Sequence, residues 1–203
     1  MTISTQNIGK QFGREWIFRN FTFDFLPNQS YAIIGNNGSG KSTLLKALAG
    51  VMPITQGEIC YLSDGKKISA ENWFKYLAIA SPYLELIEEF SLQETIDFYI
   101  NFKKIYVTRN ELIEKLGFQK NKHKAIKFFS SGMKQKLKLG LAMYSEAKIL
   151  FLDEPTSNLD EKNTAWYLEN IKEVIKDKIT FICSNQPNEY YFCNEVINLT
   201  LFK

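Results

Sequence analysis

Three local signals follow one another in a single stretch of the chain, Ser30-Tyr-Ala-Ile-Ile-Gly35-Asn-Asn-Gly-Ser-Gly-Lys41-Ser-Thr43. Residues 31–34 form an apolar run of strand length, and residues 35–40 contain three glycines. Lys41 opens a segment of good helix formers that continues to Gly50. A strand, a glycine turn and a helix in this order are the context of a phosphate-binding loop. We therefore predict that residues 30–50 bind an anionic ligand.

The glycine turn has the residue types that hold the phosphates of a nucleotide. Glycine permits backbone angles that other residues avoid, so successive N–H groups can point at an anion, and the following helix adds its positive end. Lys41 is predicted to reach the β and γ phosphates, and the hydroxyl of Ser42 to ligate Mg²⁺. The predicted nucleotide contacts are Gly35, Asn36, Asn37, Gly38, Ser39, Gly40, Lys41, Ser42 and Thr43.

Apolar runs of strand length recur between helical segments, which is the pattern of an α/β domain with a mainly parallel sheet. These runs are residues 31–34, 149–152, 179–183 and 196–201. Near the N-terminus, Phe21, Phe23 and Phe25 alternate with polar residues and indicate an antiparallel strand. Residues 58–62 and 67–68, joined by a turn at Asp64-Gly65, predict a further strand pair.

The pattern changes to helices between residues 91 and 144. Thr108-Arg-Asn-Glu111 has the spacing of a capping box at a helix start, and Gly117 is a helix stop signal. We therefore predict one domain with two parts. The nucleotide-binding core comprises residues 1–81 and 148–203, and a helical subdomain comprises residues 82–147.

Two adjacent carboxylates follow the apolar run 149–152. Ligands of parallel sheets bind beyond the carboxyl ends of the strands, where the phosphate loop is also expected. Because side chains alternate along a strand, the two acids can point in different directions. Asp153 is predicted to hold Mg²⁺ directly or through water, and Glu154 to orient or deprotonate the water that attacks the γ phosphate.

Composition narrows the class of protein. The 203 residues suit one domain, the formal charge of +3 is too small to indicate a nucleic-acid partner, and no stretch approaches the roughly 20 apolar residues that span a bilayer.

Cys60, Cys183 and Cys193 lack metal-ligand or Cys-x-x-Cys spacing and are expected to be reduced and buried. Eight lysines between residues 115 and 138 are explained by a solvated helical surface at least as well as by a binding patch. The start of the chain lacks the features of a secretion signal, and we expect a cytoplasmic location.

Two more motifs accompany the phosphate loop and the paired carboxylates: Phe129-Ser-Ser-Gly-Met133 and Ser157-Asn-Leu-Asp160. Together the four motifs resemble, in kind and in order, those of the ATP-binding cassette (ABC) ATPases, the nucleotide-binding subunits of ABC transporters. The resemblance extends over essentially the whole chain. It implies a P-loop NTPase fold: a RecA-like, mainly parallel α/β core with N-terminal antiparallel strands and an inserted α-helical subdomain.

The resemblance also implies roles for individual residues. The segment with Ser130, Ser131 and Gly132 resembles the signature motif, which opens a helix and contacts the γ phosphate of ATP held by the opposite protomer. Asp160 belongs to a segment that resembles the D-loop at the dimer interface. Phe12 resembles the aromatic residue that stacks on adenine, with Trp16 as the alternative; ordinary packing remains open for both.

Two positions depart from the family pattern. The family has a glutamine after one of its strands. Counting back from Ser91-Leu-Gln-Glu94 puts Ser81 at that position in this chain. The side chain of serine is shorter than that of glutamine, but it can contact Mg²⁺ through water. Where the family has a histidine that contacts the γ phosphate, this chain has Asn185, which keeps a hydrogen-bond donor and cannot become charged. We expect slower catalysis, or greater dependence on Glu154.

By this resemblance the chain would be the ATP-binding and ATP-hydrolysing subunit of an ABC transporter. It would pair as a homodimer, or with a second ATPase subunit, around two ATP molecules and their Mg²⁺ ions. It would drive separate transmembrane permease subunits from a peripheral position on the inner face of the membrane, in the direction of export. The apolar side chains of residues 83–90 would form the socket for those subunits, with core packing equally open.

Two other functions stay open at this stage. One is a nucleotide-dependent switch that does not hydrolyse ATP, suggested by Ser81 and Asn185. The other is a P-loop small-molecule kinase, a class with several members of about this length. The signature-like helix before the carboxylates and the D-loop-like segment after them count against the kinase.

Overall fold

The computed structural model describes residues 1–203, except for the side chain of Ala70. Nine strands form two sheets: β1 Thr2–Phe12, β2 Glu15–Phe25, β3 Ser30–Ile34, β4 Gln56–Ser63, β5 Lys66–Lys67, β6 Leu77–Ala80, β7 Ile149–Asp153, β8 Ile179–Cys183 and β9 Glu195–Asn198. The α-helices are α1 Lys41–Leu48, α2 Ala70–Trp73, α3 Leu92–Phe102, α4 Arg109–Lys115, α5 Ser131–Met143 and α6 Glu161–Val174. No helix in this described part of the chain is long and apolar enough to cross a membrane.

The five-stranded sheet is parallel, in the order β6-β7-β8-β3-β9. Its three central strands are buried along nearly their whole length, because helices and the second sheet cover both faces. The four-stranded sheet is antiparallel, in the order β2-β1-β4-β5. The prediction of an α/β fold with a mainly parallel core and N-terminal antiparallel strands is therefore confirmed.

Aromatic side chains join the two sheets. Phe25 of β2 meets Phe181 of β8 edge-on, with ring centroids 4.7 Å apart, and Phe181 stacks on Phe151 of β7 at the same separation. All three side chains are fully buried. Contacts of this kind add about 0.5–1.5 kcal/mol each beyond the area they bury. The antiparallel sheet thereby packs against one face of the parallel sheet and stabilises it.

Most predicted strand and helix signals are confirmed, with one correction. The turn between β4 and β5 has Asp64 and Gly65 at positive φ, and Thr108 and Glu111 form both hydrogen bonds of the capping box. The predicted strand 196–201 is wrong in its second half: β9 ends at Asn198, and Leu199–Phe202 is a 3₁₀ helix. The cause is the Asn198 side chain, which accepts hydrogen bonds from the backbone and hydroxyl of Thr200 and so turns the chain.

Residues 92–144 contribute a separate apolar cluster, in which Leu92, Ile96, Leu112 and Leu137 are fully buried. The division at residues 82 and 147 stays a prediction. The expectation of a solvated lysine run is wrong at its end, because Lys136 and Lys138 on α5 are buried. The expectation for the cysteines holds fully for Cys183 only, since Cys60 and Cys193 are half-buried free thiols.

Lys178 precedes β8 at the amino-terminal edge of the parallel sheet, far along the strands from the phosphate loop. Its side chain is buried, and its ammonium donates hydrogen bonds to the carbonyls of Ser145 and Ala147, both at 2.6 Å. Burial, helped by the nearby charge of Lys148, lowers the pKa of Lys178 to about 8. The two carbonyl dipoles therefore stabilise the ammonium, whereas its burial disfavours the charged form.

This pKa predicts how stability changes with pH. The unfolded lysine keeps its ordinary pKa, so between about pH 8 and pH 10.5 the unfolded chain binds more protons than the folded chain, and stability rises with pH. Relative to Lys178→Met, the free energy of unfolding of the wild type is expected to rise by about 3 kcal/mol across this range. Urea unfolding of both proteins at the two limits measures it. A difference between them that does not change with pH contradicts the prediction.

Candidate functional site

The phosphate loop connects the end of β3 to the start of α1, and its glycines adopt backbone angles that suit only glycine. Gly38 and Gly40 have φ of 75° and 100°. A Cβ on Gly40 would overlap the side chain of Ile17 from β2, and one on Gly35 would lie 2.7 Å from the hydroxyl of Ser39. The hydroxyl of Ser39 is buried and has no hydrogen-bond partner among the described atoms. The loop is thus tightly wound, with an unsatisfied polar atom inside it.

Lys41 is the first residue of α1, and 6% of its surface is exposed. Its ammonium donates to the carbonyls of Gly35 at 2.8 Å and Asn36 at 3.1 Å, which are in its own loop. The side chain therefore folds back over the loop, where it stabilises the winding of the backbone. One of its three N–H donors is not used by these two bonds.

Ser42 and Asp153 meet at the end of the sheet. The hydroxyl of Ser42 donates to Oδ1 of Asp153 at 3.0 Å, and Asp153 is almost fully buried at the end of β7. Burial raises the pKa of the Asp153 carboxyl, and the hydrogen bond from Ser42 opposes that shift. Hydroxyl and carboxylate oxygens are the donors that Mg²⁺ takes in nucleotide sites. No cluster of three or more His, Cys, Asp or Glu among the described residues could hold a metal, so a cation here would need phosphate or water oxygens as further ligands.

Glu154 follows Asp153 in a left-handed backbone conformation, with φ of 44°. Its N–H donates to the carbonyl of Cys183 at 2.8 Å, which ties the turn to the neighbouring strand β8. Left-handed angles in a residue other than glycine cost about 1–3 kcal/mol and persist only where surrounding contacts enforce them. The turn directs Glu154 into a cavity of about 500 Å³ that Lys41, Ser42 and Tyr83 also line. The paired acids thus differ in environment: Asp153 is buried, and Glu154 faces the cavity.

The two positions that depart from the family pattern follow different strands of the parallel sheet, Ser81 after β6 and Asn185 after β8. The amide of Asn185 is exposed and donates to Oδ1 of Asn37 at 2.5 Å. Ser81 is buried just after β6, and its hydroxyl accepts from the N–H of Tyr83 at 3.3 Å. The hydroxyl of Ser81 is thus used within its own turn. Whether either residue serves a nucleotide or its cation stays a prediction.

The signature-like segment lies apart from the phosphate loop. Ser130 is exposed and caps α5 by accepting from the N–H of Met133, and Ser131 beside it is also exposed. Among the described residues, no hydrogen bond or ion pair joins residues 130–132 to residues 35–43. Asp160 is exposed and caps α6 by accepting from the N–H of Asn163 at 2.8 Å. One copy of the chain therefore does not bring the two sets of predicted ligands together.

The predicted adenine contact, Phe12, is the last residue of β1 and lies beside the turn that leads to β2. Half of the surface of Phe12 is exposed, and the Lys10 ammonium lies 5.0 Å from its ring centroid. Trp16 is half-buried and packs close to Gly9. Phe12 has a ring face available for stacking, and its role stays a prediction. Ile17, which the sequence did not single out, lines the cavity next to the phosphate loop.

Two buried polar residues that sequence reasoning missed support the turn after Glu154. Glu189 accepts hydrogen bonds from the backbone N–H of Thr156, at 2.9 Å, and from its hydroxyl. Gln135 of α5 donates to the carbonyl of Pro155 at 3.1 Å. Only 1% of each of these two side chains is exposed. The sequence contains no local signal for either, because their partners are 33 and 20 residues away.

Gly132 touches the D-loop-like segment of the same chain. A Cβ at this position would lie 2.6 Å from the backbone carbonyl oxygen of Asn158, which is itself at positive φ. Backbone atoms on both sides prevent a small local adjustment. The helix start at α5 and the segment 157–160 therefore approach each other closely because residue 132 has no side chain.

Gly132→Ala is expected to push these two segments apart and to lower ATP turnover about tenfold, with ATP affinity unchanged, because small displacements of positioned groups have large kinetic effects. The measurement is steady-state phosphate release beside an ATP binding titration. Gly140→Ala on the same helix is the control, since the added Cβ there meets only the flexible end of Leu116. Equal turnover in Gly132→Ala and the wild type would refute the argument.

Comparison with known proteins agrees with this geometry. A family model described as ABC transporter matches residues 18–157. The chain is 31% identical over 181 residues to the lantibiotic transport ATP-binding protein SrtF of Streptococcus pyogenes, which covers 86% of this chain and 73% of that protein.

Two solved structures are similar in fold. One is a candidate ABC transporter ATP-binding protein of Pyrococcus furiosus, with a TM-score of 0.84 and 20% identity over the full length of both chains. The other is the ATP-binding cassette MJ0796, solved as a dimer in a post-hydrolysis state bound to ADP and Pi. Its TM-score is 0.81 and its identity 19%, over 97% of this chain and 93% of that chain.

Proposed function

The chain belongs to the ABC transporter family as an ATP-binding subunit, and from that premise we propose that it hydrolyses ATP with Asp153 and Glu154 at the phosphate loop. The observation that carries the proposal is the hydrogen bond of 3.0 Å between Ser42 and Asp153, beside the cavity that Glu154 faces. It supports the proposal because Ser42, Asp153 and Glu154 lie at the same end of the sheet, where a metal-ligating pair and a carboxylate base would have to act together.

Each residue has a distinct task in this proposal. The backbone of residues 35–40 and the start of α1 bind the β and γ phosphates, and Lys41 adds a positive charge to them. Ser42 and Asp153 hold Mg²⁺, which supplies charge neutralisation on the phosphate oxygens when bound. Glu154 accepts the proton of the attacking water, and its left-handed backbone directs the carboxylate into the cavity. The side-chain amide of Asn185, which donates one hydrogen bond to Asn37, is positioned at the loop as a further hydrogen-bond donor to the γ phosphate.

A second protomer completes the site in this proposal. Ser130, Ser131 and Asp160 are exposed, and none of the described hydrogen bonds joins them to the phosphate loop of their own chain. This arrangement is expected of residues that contact the nucleotide of a partner. The same arrangement in two copies yields a head-to-tail pair with two ATP molecules between them. The fold relative MJ0796, solved as a dimer with ADP and Pi, supports this expectation.

Separate membrane subunits are the other proposed partners. Tyr83, Leu84 and Ile87 are exposed apolar residues in the loop that follows β6, whereas Leu86 packs on the apolar cluster of residues 92–144. Three of the five predicted socket residues are therefore accessible, and one is used in packing. The fifth, Phe90, is half-buried and lies edge-on against Phe98. We propose a peripheral location on the inner face of the membrane. The direction of transport stays a prediction of export, which rests on the signature reading Phe129-Ser-Ser-Gly-Met-Lys-Gln135.

The experiment that tests this function is phosphate release from ATP by the purified chain, with Mg²⁺ and with EDTA, over a range of protein concentrations. Mg²⁺-dependent release whose specific rate rises with concentration supports a paired ATPase. ATP-driven dimerisation without release would favour the switch that Ser81 and Asn185 suggest. Release that requires an added small-molecule acceptor would favour a kinase.

A further inference from the structure

Lys138 is a buried lysine on α5 whose ammonium is enclosed by backbone carbonyls. Only 9% of its surface is exposed. Its Nζ donates to the carbonyl oxygens of Ser81 and Pro82, both at 2.9 Å, and of Leu84 at 3.2 Å. An ammonium has three N–H donors, so these three bonds use all of them. All three acceptors come from the four residues that follow strand β6.

Among the described residues, no salt bridge pairs Lys138 with a carboxylate. The described salt bridges join other residues, and one of them pairs Lys134, one turn earlier on α5, with Glu88. A buried charge without a partner is costly unless dipoles stabilise it, and here the dipoles are the three carbonyls. The segment 81–84 must therefore keep its curved conformation around Nζ. Any movement of that segment away from α5 would leave the ammonium buried and unbonded.

The segment 81–84 borders two cavities. On one side, Tyr83 lines the cavity of the phosphate loop together with Lys41 and Glu154. On the other side, Leu84 and Lys138 line a cavity of about 340 Å³. That second cavity also contains Ser131 from the start of α5 and Asn158 from the D-loop-like segment.

The register of the sheet places the segment beside the catalytic acids. Ala80, the last residue of β6, pairs with Leu152 on β7, so Ser81 follows the strand at the level of Asp153. Lys138 lies seven residues after Ser131 on the same face of α5, about 10 Å along the helix. A single side chain thus joins the signature-like helix to the wall of the phosphate cavity.

We propose that Lys138 is a positioning residue that holds residues 81–84 against α5. Tyr83, which lines the phosphate cavity, and the start of α5 at Ser131 then move as one unit. The inference rests on the proposed ATPase function. It assigns to Lys138 the task of setting the orientation of α5 relative to bound nucleotide. The positions of Tyr83 and Ser131 then depend on each other through this one ammonium.

The first test compares Lys138→Met with Lys178→Met in ATP hydrolysis. Both changes remove a buried ammonium that donates to backbone carbonyls, but Lys178 lies at the opposite end of the sheet. With rates expressed per folded molecule, Lys138→Met is expected to lower kcat about tenfold with KM changed less than twofold, whereas Lys178→Met keeps the kcat of the wild type. Equal kcat in Lys138→Met and the wild type, or equal losses in both variants, would overturn the proposal.

Lys138→Arg keeps the positive charge. A guanidinium is planar and cannot direct three N–H groups at three carbonyls around one atom, so kcat is expected to fall at least about threefold at unchanged KM. If Lys138→Met does not fold, kcat and KM of Lys138→Arg are compared with those of the wild type instead. Wild-type turnover in Lys138→Arg, in that case, counts against the proposal.

Amide hydrogen exchange tests the same contact without any hydrolysis. The N–H groups of Tyr83 and Leu84 bond within the segment, to the hydroxyl and the carbonyl of Ser81. In folded Lys138→Met or Lys138→Arg their exchange is expected to accelerate about tenfold, while amides of β6 keep the wild-type rate. Unchanged exchange of both amides overturns the proposal. If the wild type itself releases no phosphate, the hydrolysis proposal fails, and hydrogen exchange alone decides the role of Lys138.

Discussion

Glu154→Gln is expected to reduce ATP turnover at least about 100-fold, because an amide of the same shape cannot accept the proton of the attacking water. The substitution preserves side-chain length and leaves the left-handed turn and its hydrogen bond to Cys183 in place. ATP binding should therefore persist. The measurement is single-turnover phosphate release at saturating ATP and Mg²⁺, with an ATP binding titration on the same protein.

Glu169→Gln is a suitable control, because Glu169 is an exposed carboxylate on α6, away from the cavity. It should turn over ATP at the rate of the wild type. Residual turnover in Glu154→Gln above a tenth of the wild-type rate would remove Glu154 from the role of general base. The water would then have to be activated without a carboxylate at this position.

Lys41→Met is expected to weaken ATP binding roughly 100-fold. A charge-assisted hydrogen bond contributes about 1.5–3 kcal/mol, and about 1.4 kcal/mol corresponds to a tenfold change in affinity. The variant loses the positive charge near the phosphates and the two hydrogen bonds that hold the carbonyls of Gly35 and Asn36. Calorimetric titration of ATP measures the change in Kd.

The matched control is Lys46→Met, since Lys46 is an exposed lysine on the same helix α1. Its ATP affinity should stay within about threefold of the wild type. A Kd for Lys41→Met that lies in the same narrow range would show that the backbone of the loop binds the phosphates without this lysine. The proposed assignment of the loop charge would then be abandoned.

Local sequence signals predicted the elements whose determinants are close together in the chain. The apolar run before Gly35, the capping box at Thr108 and the turn at Asp64-Gly65 each depend on neighbouring residues. The strand β9 was predicted too long, because apolar content does not report that the Asn198 side chain turns the backbone. Ser42 and Asp153 were predicted as metal ligands separately, and the structure shows that they meet at 3.0 Å.

The residues that sequence reasoning missed are those whose partners are distant in the chain. Lys138 belongs to a run of lysines that composition assigns to solvent, yet its acceptors are 54 to 57 residues away. Glu189 and Gln135 bond to the turn after Glu154 across gaps of 33 and 20 residues. Gly132 is predicted from the sequence as part of the signature-like segment, but its close approach to Asn158 is visible only in the structure.

The α/β class, the phosphate loop and the order of the four motifs follow from the sequence alone, because each is specified by residue types at short, fixed spacing. The tertiary structure alone decided which buried polar groups support the site: Lys138 on residues 81–84, Glu189 on Thr156, and Gln135 on Pro155. The physical reason is that burial and hydrogen-bond partners arise from packing between distant segments. A lysine or a glutamate has the same local pattern whether solvent or a carbonyl surrounds it.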